Sequence, residues 1–323
     1  MAELYAKGKP SRSGLRGHDH GTEWQSCRIS MSASDKHIMI VGAASSVGKV
    51  LAEQLQGRRT ILASRQLVAV AAPHRALVKS YESLTPADFE DVDTVINCVG
   101  VSRGSTALMD RVTTALPVHI AEVARDAGAA KFVQLSSFSV YGAASFVKPC
   151  SLERPVSNYG RAKLSADQQI LNLADSSFAP VCVRLPMLFQ PGDGGKLTRL
   201  ITMLASVPVF AVPRHEIGRS VMSVPDAAFT LVQIADSQYS GVVHAADPIP
   251  MTYRLVTEAM RRAAVRPPTL VKFPVAITSL CRHNSVLRSL YCPSLLDGQI
   301  NVARDFALPL GLIAGLDQMI ARR

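Results

Sequence analysis

Short apolar runs alternate with stretches of helical spacing from residue 37 to about residue 185. His37-Ile-Met-Ile-Val41 is apolar without alternation, the pattern of a strand buried on both faces. The stretch K-V-L-A-E-Q-L-Q (49–56) spaces its apolar residues as a helix and ends at Gly57. Continuing in this way predicts strands over 37–41, 60–64, 94–98, 131–136 and 180–184, a weaker strand near 76–79, and helices over 46–56, 106–127 and 158–174. Strands alternating with helices indicate an α/β fold of the doubly wound kind, a parallel sheet with helices on both faces. Beyond 186 the pattern becomes mixed, with prolines at 186, 191, 208, 213, 225, 248 and 250. Residues 1–36 are polar, rich in glycine and serine and without period, so a disordered leader is expected there. Met31 stands just ahead of the first strand, and translation beginning at that residue is the alternative; the mass of the native N-terminus distinguishes the two.

Composition narrows the class. With 48% hydrophobic and 19% charged residues, the chain matches a soluble enzyme with a substantial core. No apolar stretch approaches the roughly 20 residues of a membrane helix, and the N-terminus lacks the apolar segment of a signal peptide. Glu3, Asp19 and Glu23 argue against a mitochondrial presequence, so a cytoplasmic protein is expected. The six cysteines include no C-x-x-C pair, and neither a metal site nor a disulfide framework is expected. Cys98 and Cys182 lie in apolar predicted strands and read as small buried hydrophobes. The net charge is +10, and residues 251–323 carry ten basic side chains against four acidic. These are scattered and accompany no nucleic-acid-binding motif, so no nucleic-acid partner is expected and a solvated basic face is the simplest reading. Attraction of an anionic nucleotide ligand or an anionic membrane surface would serve equally.

The first candidate site follows the first strand. G-A-A-S-S-V-G (42–48) stands between a strand and a helix, the context in which a glycine motif signals dinucleotide binding. Gly42 would allow the tight turn and Gly48 the close packing of helix on strand. The helix N-terminus at Ser46 and Val47 would hold a pyrophosphate through its free amides and dipole. The middle position, usually glycine, is Ser45, whose hydroxyl could contact phosphate but which narrows the site. After the second strand come Ser64 and Arg65, with no carboxylate near. An arginine there accommodates the 2′-phosphate of NADP, whereas an acid would hold the ribose hydroxyl of NAD. The coenzyme is therefore expected to be NADP or NAD, with NADP preferred.

The second is Tyr159 and Lys163, four residues apart in S-N-Y-G-R-A-K-L-S-A-D (157–167), with Ser136-Ser137 at the end of a predicted strand upstream. Residues at i and i+4 share a helix face, so an ammonium would lie beside a phenol. A cation within about 4–6 Å is the ordinary means of favouring a phenolate. Tyr159 is accordingly a candidate general acid/base, with Lys163 as the cation and Ser137 donating to the same substrate oxygen.

These features occur together in one family. From residue 37 onward the chain resembles the extended short-chain dehydrogenase/reductases, in particular the NAD-dependent epimerase/dehydratase family acting on nucleotide sugars. The resemblance rests on G-A-A-S-S-V-G (42–48), T-V-I-N-C-V-G (94–100), K-F-V-Q-L-S-S-F-S-V-Y-G (131–142), Y-G-R-A-K (159–163), V-R-L-P-M-L-F-Q-P-G (183–192) and G-R-S-V-M-S-V-P-D-A (218–227). It implies a Rossmann-type NAD(P)-binding domain over 37–185 and, over 186–323, mainly a smaller substrate-binding region. It implies that Lys163 also binds the nicotinamide ribose, that Asn97 and Gly100 form a coenzyme-binding turn, and that Arg219 grips the diphosphate of a nucleotide-sugar substrate. Phe138 and Ser139 occupy the positions at which the family's dehydratases carry acids, so water elimination is not expected. Thr113 replaces an asparagine of the family, and Ser83-Leu84 stand where an acid near the adenine is usual. His119, His215 and His244 make no recognisable metal or triad spacing. The expected protein is a nucleotide-sugar 4-epimerase, with an NADPH-dependent 4-keto-sugar or other carbonyl reductase as the first alternative and a non-catalytic NADP-binding sensor or scaffold as the second. A homodimer is common in the family and expected here.

Overall fold

Every residue of the first strand, β1 (Ile38–Val41), is buried. Ile38 and Ile40 face one core and Met39 and Val41 the opposite one, as the two-residue period of a strand requires. The apolar run has no polar alternation because neither face meets water. The computed structural model describes residues 37–274 and 285–322, which lie within one contact unit, Ser32–Arg323. The leader expected over 1–36 lies outside the described residues.

After β1 the chain forms α1 (Ser46–Gln54), β2 (Thr60–Ser64) and β3 (Arg75–Val78). It then returns to the other side of β1 as β4 (Thr94–Asn97), followed by β5 (Lys131–Ser137). A short β6 (Phe146–Val147) precedes β7 (Ala179–Leu185), β8 (Met187–Phe189), β9 (Val209–Pro213), β10 (Val221–Ser223), β11 (Gly241–His244), β12 (Thr269–Phe273) and β13 (Leu295–Leu296). The main sheet has seven strands in the order β11-β7-β5-β4-β1-β2-β3, all parallel. Because the chain departs from β1 in both directions, a crevice opens at the strand ends between β1 and β4, where ligands bind in such sheets. β8 pairs with β10, β9 with β12 and β6 with β13 in separate two-stranded sheets.

The predicted helix over 106–127 is present but not uniform. It runs as α2 (Thr106–Met109), a π-helical segment Asp110–Ala115, and α3 (Leu116–Asp126). Pro117 explains the widened turn: it has no amide hydrogen, and its ring conflicts with the carbonyl four residues back. α3 and α4 (Asn158–Leu171) cover one face of the sheet through Leu116, Ile120, Ala166 and Ile170. The other face is covered by α1 and, past α5 (Lys196–Ser206), by α6 (Val224–Asp236), through Val47, Leu51, Ala227 and Leu231. Thus α6 and β11, which come from beyond residue 186, belong to the main sheet and its covering layer. The rest of that half has its own core, with Phe189, Ile201, Phe210, Val256 and Leu316 brought together by β8–β10, α5, α7 (Tyr253–Arg262) and the helix Gly311–Ala321. Among the described residues no helix is long and apolar enough to cross a membrane.

α1 packs closely against the turn that leaves β1. Gly42 leaves the strand with φ 89°, and a Cβ placed on Gly48 would lie 2.4 Å from the carbonyl oxygen of Gly42. No side chain fits without moving the helix. Gly48→Ala is expected to destabilise the fold by about 1–3 kcal/mol, the cost of overpacking, measured as a lower urea midpoint at unchanged slope.

Candidate active site

The crevice holds a cavity of about 260 Å³ bordered by Gly42, Ser45, Arg65, Tyr81, Gly100 and Val101. Four residues expected to contact a dinucleotide are thus brought together from the ends of three strands. Ser45 also caps α1, its Oγ accepting from the Gly48 amide at 3.0 Å. The Ser46 and Val47 amides, one exposed residue and one buried, remain at the helix tip for an anion.

Two expected contacts turn inward. The buried Ser64 hydroxyl donates to the carbonyl of Gln66, shaping the turn that carries Arg65. Asn97, also buried, donates from Nδ2 to Gln134 Oε1 at 2.8 Å and accepts the Val99 amide at 3.1 Å. Both side chains support the cavity wall without facing the cavity. Arg65 stays available, its guanidinium 5.8 Å from the centre of the Tyr81 ring and without a hydrogen bond or ion pair among the described residues. Burial pushes the Tyr81 phenol above its ordinary range and so disfavours its ionisation, and the Arg65 charge opposes that. At this end the cavity is lined by Tyr81, not by Ser83 or Leu84; Leu84 is a core residue. Its signal was a single aromatic residue in the polar stretch just after β3, at the ligand-binding edge of the sheet.

The π-helical segment fastens the opposite wall. Thr113 is fully buried, and its Oγ1 accepts from the amide of Val101 and donates to the carbonyl of the same residue, both at 3.0 Å. Next to it, Thr114 Oγ1 donates to the Ala162 carbonyl in α4 at 2.9 Å. The residue replacing the family's asparagine therefore clamps the Gly100–Val101 turn, and its neighbour clamps the helix carrying Tyr159 and Lys163.

Lys163 is 4% exposed, and its Nζ donates to the carbonyl of Leu135 on β5 at 2.7 Å. It forms no ion pair among the described residues, so two of its three donors remain unspent. The neighbouring Cys98 thiol is pushed up to about 12 by burial, against the pull of Lys163; it is an inert core residue. Tyr159 is half-buried in the first turn of α4, and its hydroxyl makes no hydrogen bond among the described residues. Ser137 ends β5, and its Oγ accepts from the Ser139 amide at 3.2 Å and the Ser139 hydroxyl at 3.0 Å. With both bonds accepted, its own proton is left to donate. What brings the serine turn and α4 together is Gly160, where a Cβ would lie 2.4 Å from the Ser139 carbonyl oxygen.

A model of the NAD dependent epimerase/dehydratase family matches residues 38–245. The chain belongs to that family. Its members are enzymes of the short-chain dehydrogenase/reductase type. Among curated proteins the chain is similar to dTDP-4-dehydrorhamnose reductase of Mycolicibacterium smegmatis, 27% identical over 249 residues covering 72% of this chain and 68% of the relative. It is also similar to UDP-glucose 4-epimerase of Vibrio cholerae, 26% identical over 221 residues covering 62% and 67%. Among solved structures, MoeE5 in complex with UDP-glucuronic acid and NAD shares the fold, with TM-score 0.68 and 20% identity over 88% of this chain and 98% of that one.

Within this epimerase/dehydratase member, Arg219 does not line the crevice cavity at the ends of β1, β2 and β4. It borders a separate cavity of about 130 Å³ with Lys196, Ile217, Thr252 and Tyr253. Its Nη2 donates to the carbonyls of Arg288 and Cys292 at 2.7 and 2.5 Å, while Nε is buried with no partner among the described residues. Half of the fork is thus committed to protein. Phe138 is buried against the His244 ring, and neither it nor Ser139 can act as the acid pair of a dehydratase.

The clamp at Thr113 is directly testable. Thr113→Val preserves shape but leaves the Val101 amide and carbonyl unpaired, which costs about 1–3 kcal/mol. The expected outcome is weaker coenzyme binding by titration calorimetry, with Thr113→Ser retaining near-normal affinity; equal behaviour of the two variants contradicts the clamp.

Proposed function

We propose that the protein is a nicotinamide-coenzyme-dependent oxidoreductase of nucleotide sugars, acting as a 4-epimerase. The observation that carries this reading is the buried Lys163 ammonium, one turn from Tyr159 and with two donors unspent, beside a Ser137 hydroxyl free to donate. The residues fit a dinucleotide: free amides at the tip of α1, a cavity at the switch point, and lysine donors facing the end of β4 next to Gly100. When bound, the nicotinamide supplies reversible hydride transfer. Lys163 would bind its ribose and hold positive charge beside Tyr159 throughout. Tyr159 would take the proton of the sugar hydroxyl as hydride leaves the carbon and return it when hydride returns to the other face. Ser137 would keep the reacting oxygen in place by donating its remaining proton.

Nucleotide sugars are the substrate class named for both curated relatives, one a reductase and one an epimerase. The cavity at Arg219 and Lys196 would take the diphosphate, since guanidinium and ammonium suit a doubly charged group. A specific feature favours the second reading, a one-way 4-keto-sugar reductase. Arg65, unpaired beside Tyr81 and with no carboxylate at the end of β2, suits the 2′-phosphate of NADP, and net reduction is the usual work of NADPH.

Incubation with UDP-, dTDP- and GDP-sugars, followed by NMR at C4, tests the proposal. Epimerisation with no net change in reduced-coenzyme absorbance is expected, whereas stoichiometric consumption of added NADPH on a 4-keto nucleotide sugar, with no epimerisation of the sugars themselves, would establish the reductase. Tyr159→Phe should lower turnover by about 10²–10⁴-fold, the range of general acid/base catalysis, with coenzyme affinity retained. Unchanged turnover in that variant contradicts the assigned role.

A further inference from the structure

Directly beneath the serine turn lies a buried charged network that none of the reaction steps uses. Arg184, on β7, is 2% exposed, and Asp167, on α4, has no exposed surface. Arg184 Nε donates to Asp167 Oδ2 at 3.1 Å, and the same oxygen accepts the Ser136 hydroxyl at 2.8 Å. The other arm of the guanidinium, Nη1, donates to Tyr141 Oη at 2.7 Å and pairs with Glu153 Oε1 at 2.5 Å. Tyr141 Oη in turn shares a hydrogen bond with His244 Nε2 at 2.5 Å. Burial, and secondarily the Arg184 charge, hold His244 down to about 4, so at neutral pH its ring adds no charge to the network.

The members of this network sit where the reacting groups are mounted. Ser136 is the residue before Ser137, and Tyr141 ends the turn Phe138–Tyr141 behind it. Glu153 lies in the segment leading into α4. Asp167 follows Lys163 by four residues and Tyr159 by eight, so the three share one helix face. A buried ion pair is weak evidence of stability, because apolar residues of similar volume often serve as well. A planar fork with donors in fixed directions does fix the relative placement of the groups it binds.

We propose that Arg184 and Asp167 are positioning residues: together they lock the strand end bearing Ser137, the turn behind it and the helix bearing Tyr159 and Lys163 into one rigid unit. The inference rests on the proposed chemistry for the identity of the reacting groups, but the placement it describes can be measured without turnover.

Two variants separate charge from geometry. Arg184→Lys keeps the charge and loses the fork; Asp167→Asn keeps the shape and loses the charge. For both, kcat is expected to fall by about ten- to 10²-fold, the scale of a displacement near 1 Å, while KM for the sugar nucleotide changes little. Crystal structures of the coenzyme complexes of wild type and both variants provide the independent measurement: the separation of Ser137 Oγ and Tyr159 Oη should change by more than about 0.5 Å, the tolerance of a reacting constellation. Unchanged separation overturns the proposal, whether kcat is retained or lost, since a loss without displacement assigns the effect to charge alone. A loss of activity that merely follows the folded fraction seen by circular dichroism also overturns it. If the wild type converts no nucleotide sugar, the displacement still decides: a shifted pair upholds the positioning role and leaves only the proposed function refuted.

Discussion

A lysine ammonium almost wholly removed from water holds the candidate site together. Lys163 is buried at the junction of β4, β5 and α4, with one bond to the carbonyl of Leu135 and no counter-charge in contact among the described residues. Taking an ammonium out of water is expensive unless its donors are satisfied. The fold meets part of that cost with a backbone carbonyl and leaves the remaining donors next to Gly100. The same bond ties α4 to the sheet, so the placement of Tyr159 depends on it. Gly160 and Thr114 complete the attachment, one by permitting contact with the serine turn, the other by bonding the Ala162 carbonyl.

The two halves of the chain divide the work without dividing cleanly in sequence. Parallel strands buried on both faces create the switch point, and the glycine turn after β1 leaves the Ser46 and Val47 amides at the tip of α1 there. The third core, under β8–β10 and α7, carries a second cavity with Arg219 and Lys196 at its border. Ser137 and Leu185 are register partners, and Met187, two residues beyond Leu185, lines that second cavity. The chain therefore passes from beside Ser137 to the wall of the proposed diphosphate site within two residues, the kind of short link a nucleotide sugar spanning both would need.

Much of this was legible in the sequence because it depends on local rules. β1 declared itself by unbroken apolarity, α1 by the glycine turn before it, and Tyr159 with Lys163 by helical spacing. Motif positions, however, specify backbone and not the direction of a side chain: Ser64 and Asn97 occupy the expected places and turn inward, because each satisfies a buried polar partner first. The helix over 106–127 reads as regular by period, while Pro117 imposes the π-helical turn that lets Thr113 and Thr114 reach their partners. The bonds of Arg219 to Arg288 and Cys292 span about seventy residues of sequence, and no local pattern foretells them. The same holds for Arg184 and Asp167, although the aspartate sits in plain view one turn after the lysine.

A crystal structure of the protein with bound NADP or NAD tests the role of Lys163 most directly. The pyrophosphate is expected at the N-terminus of α1, the nicotinamide ribose within hydrogen-bonding distance of Lys163 Nζ, and the ring beside the hydroxyls of Tyr159 and Ser137. A coenzyme bound elsewhere, or bound in the crevice with Lys163 making no contact to it, would contradict that role.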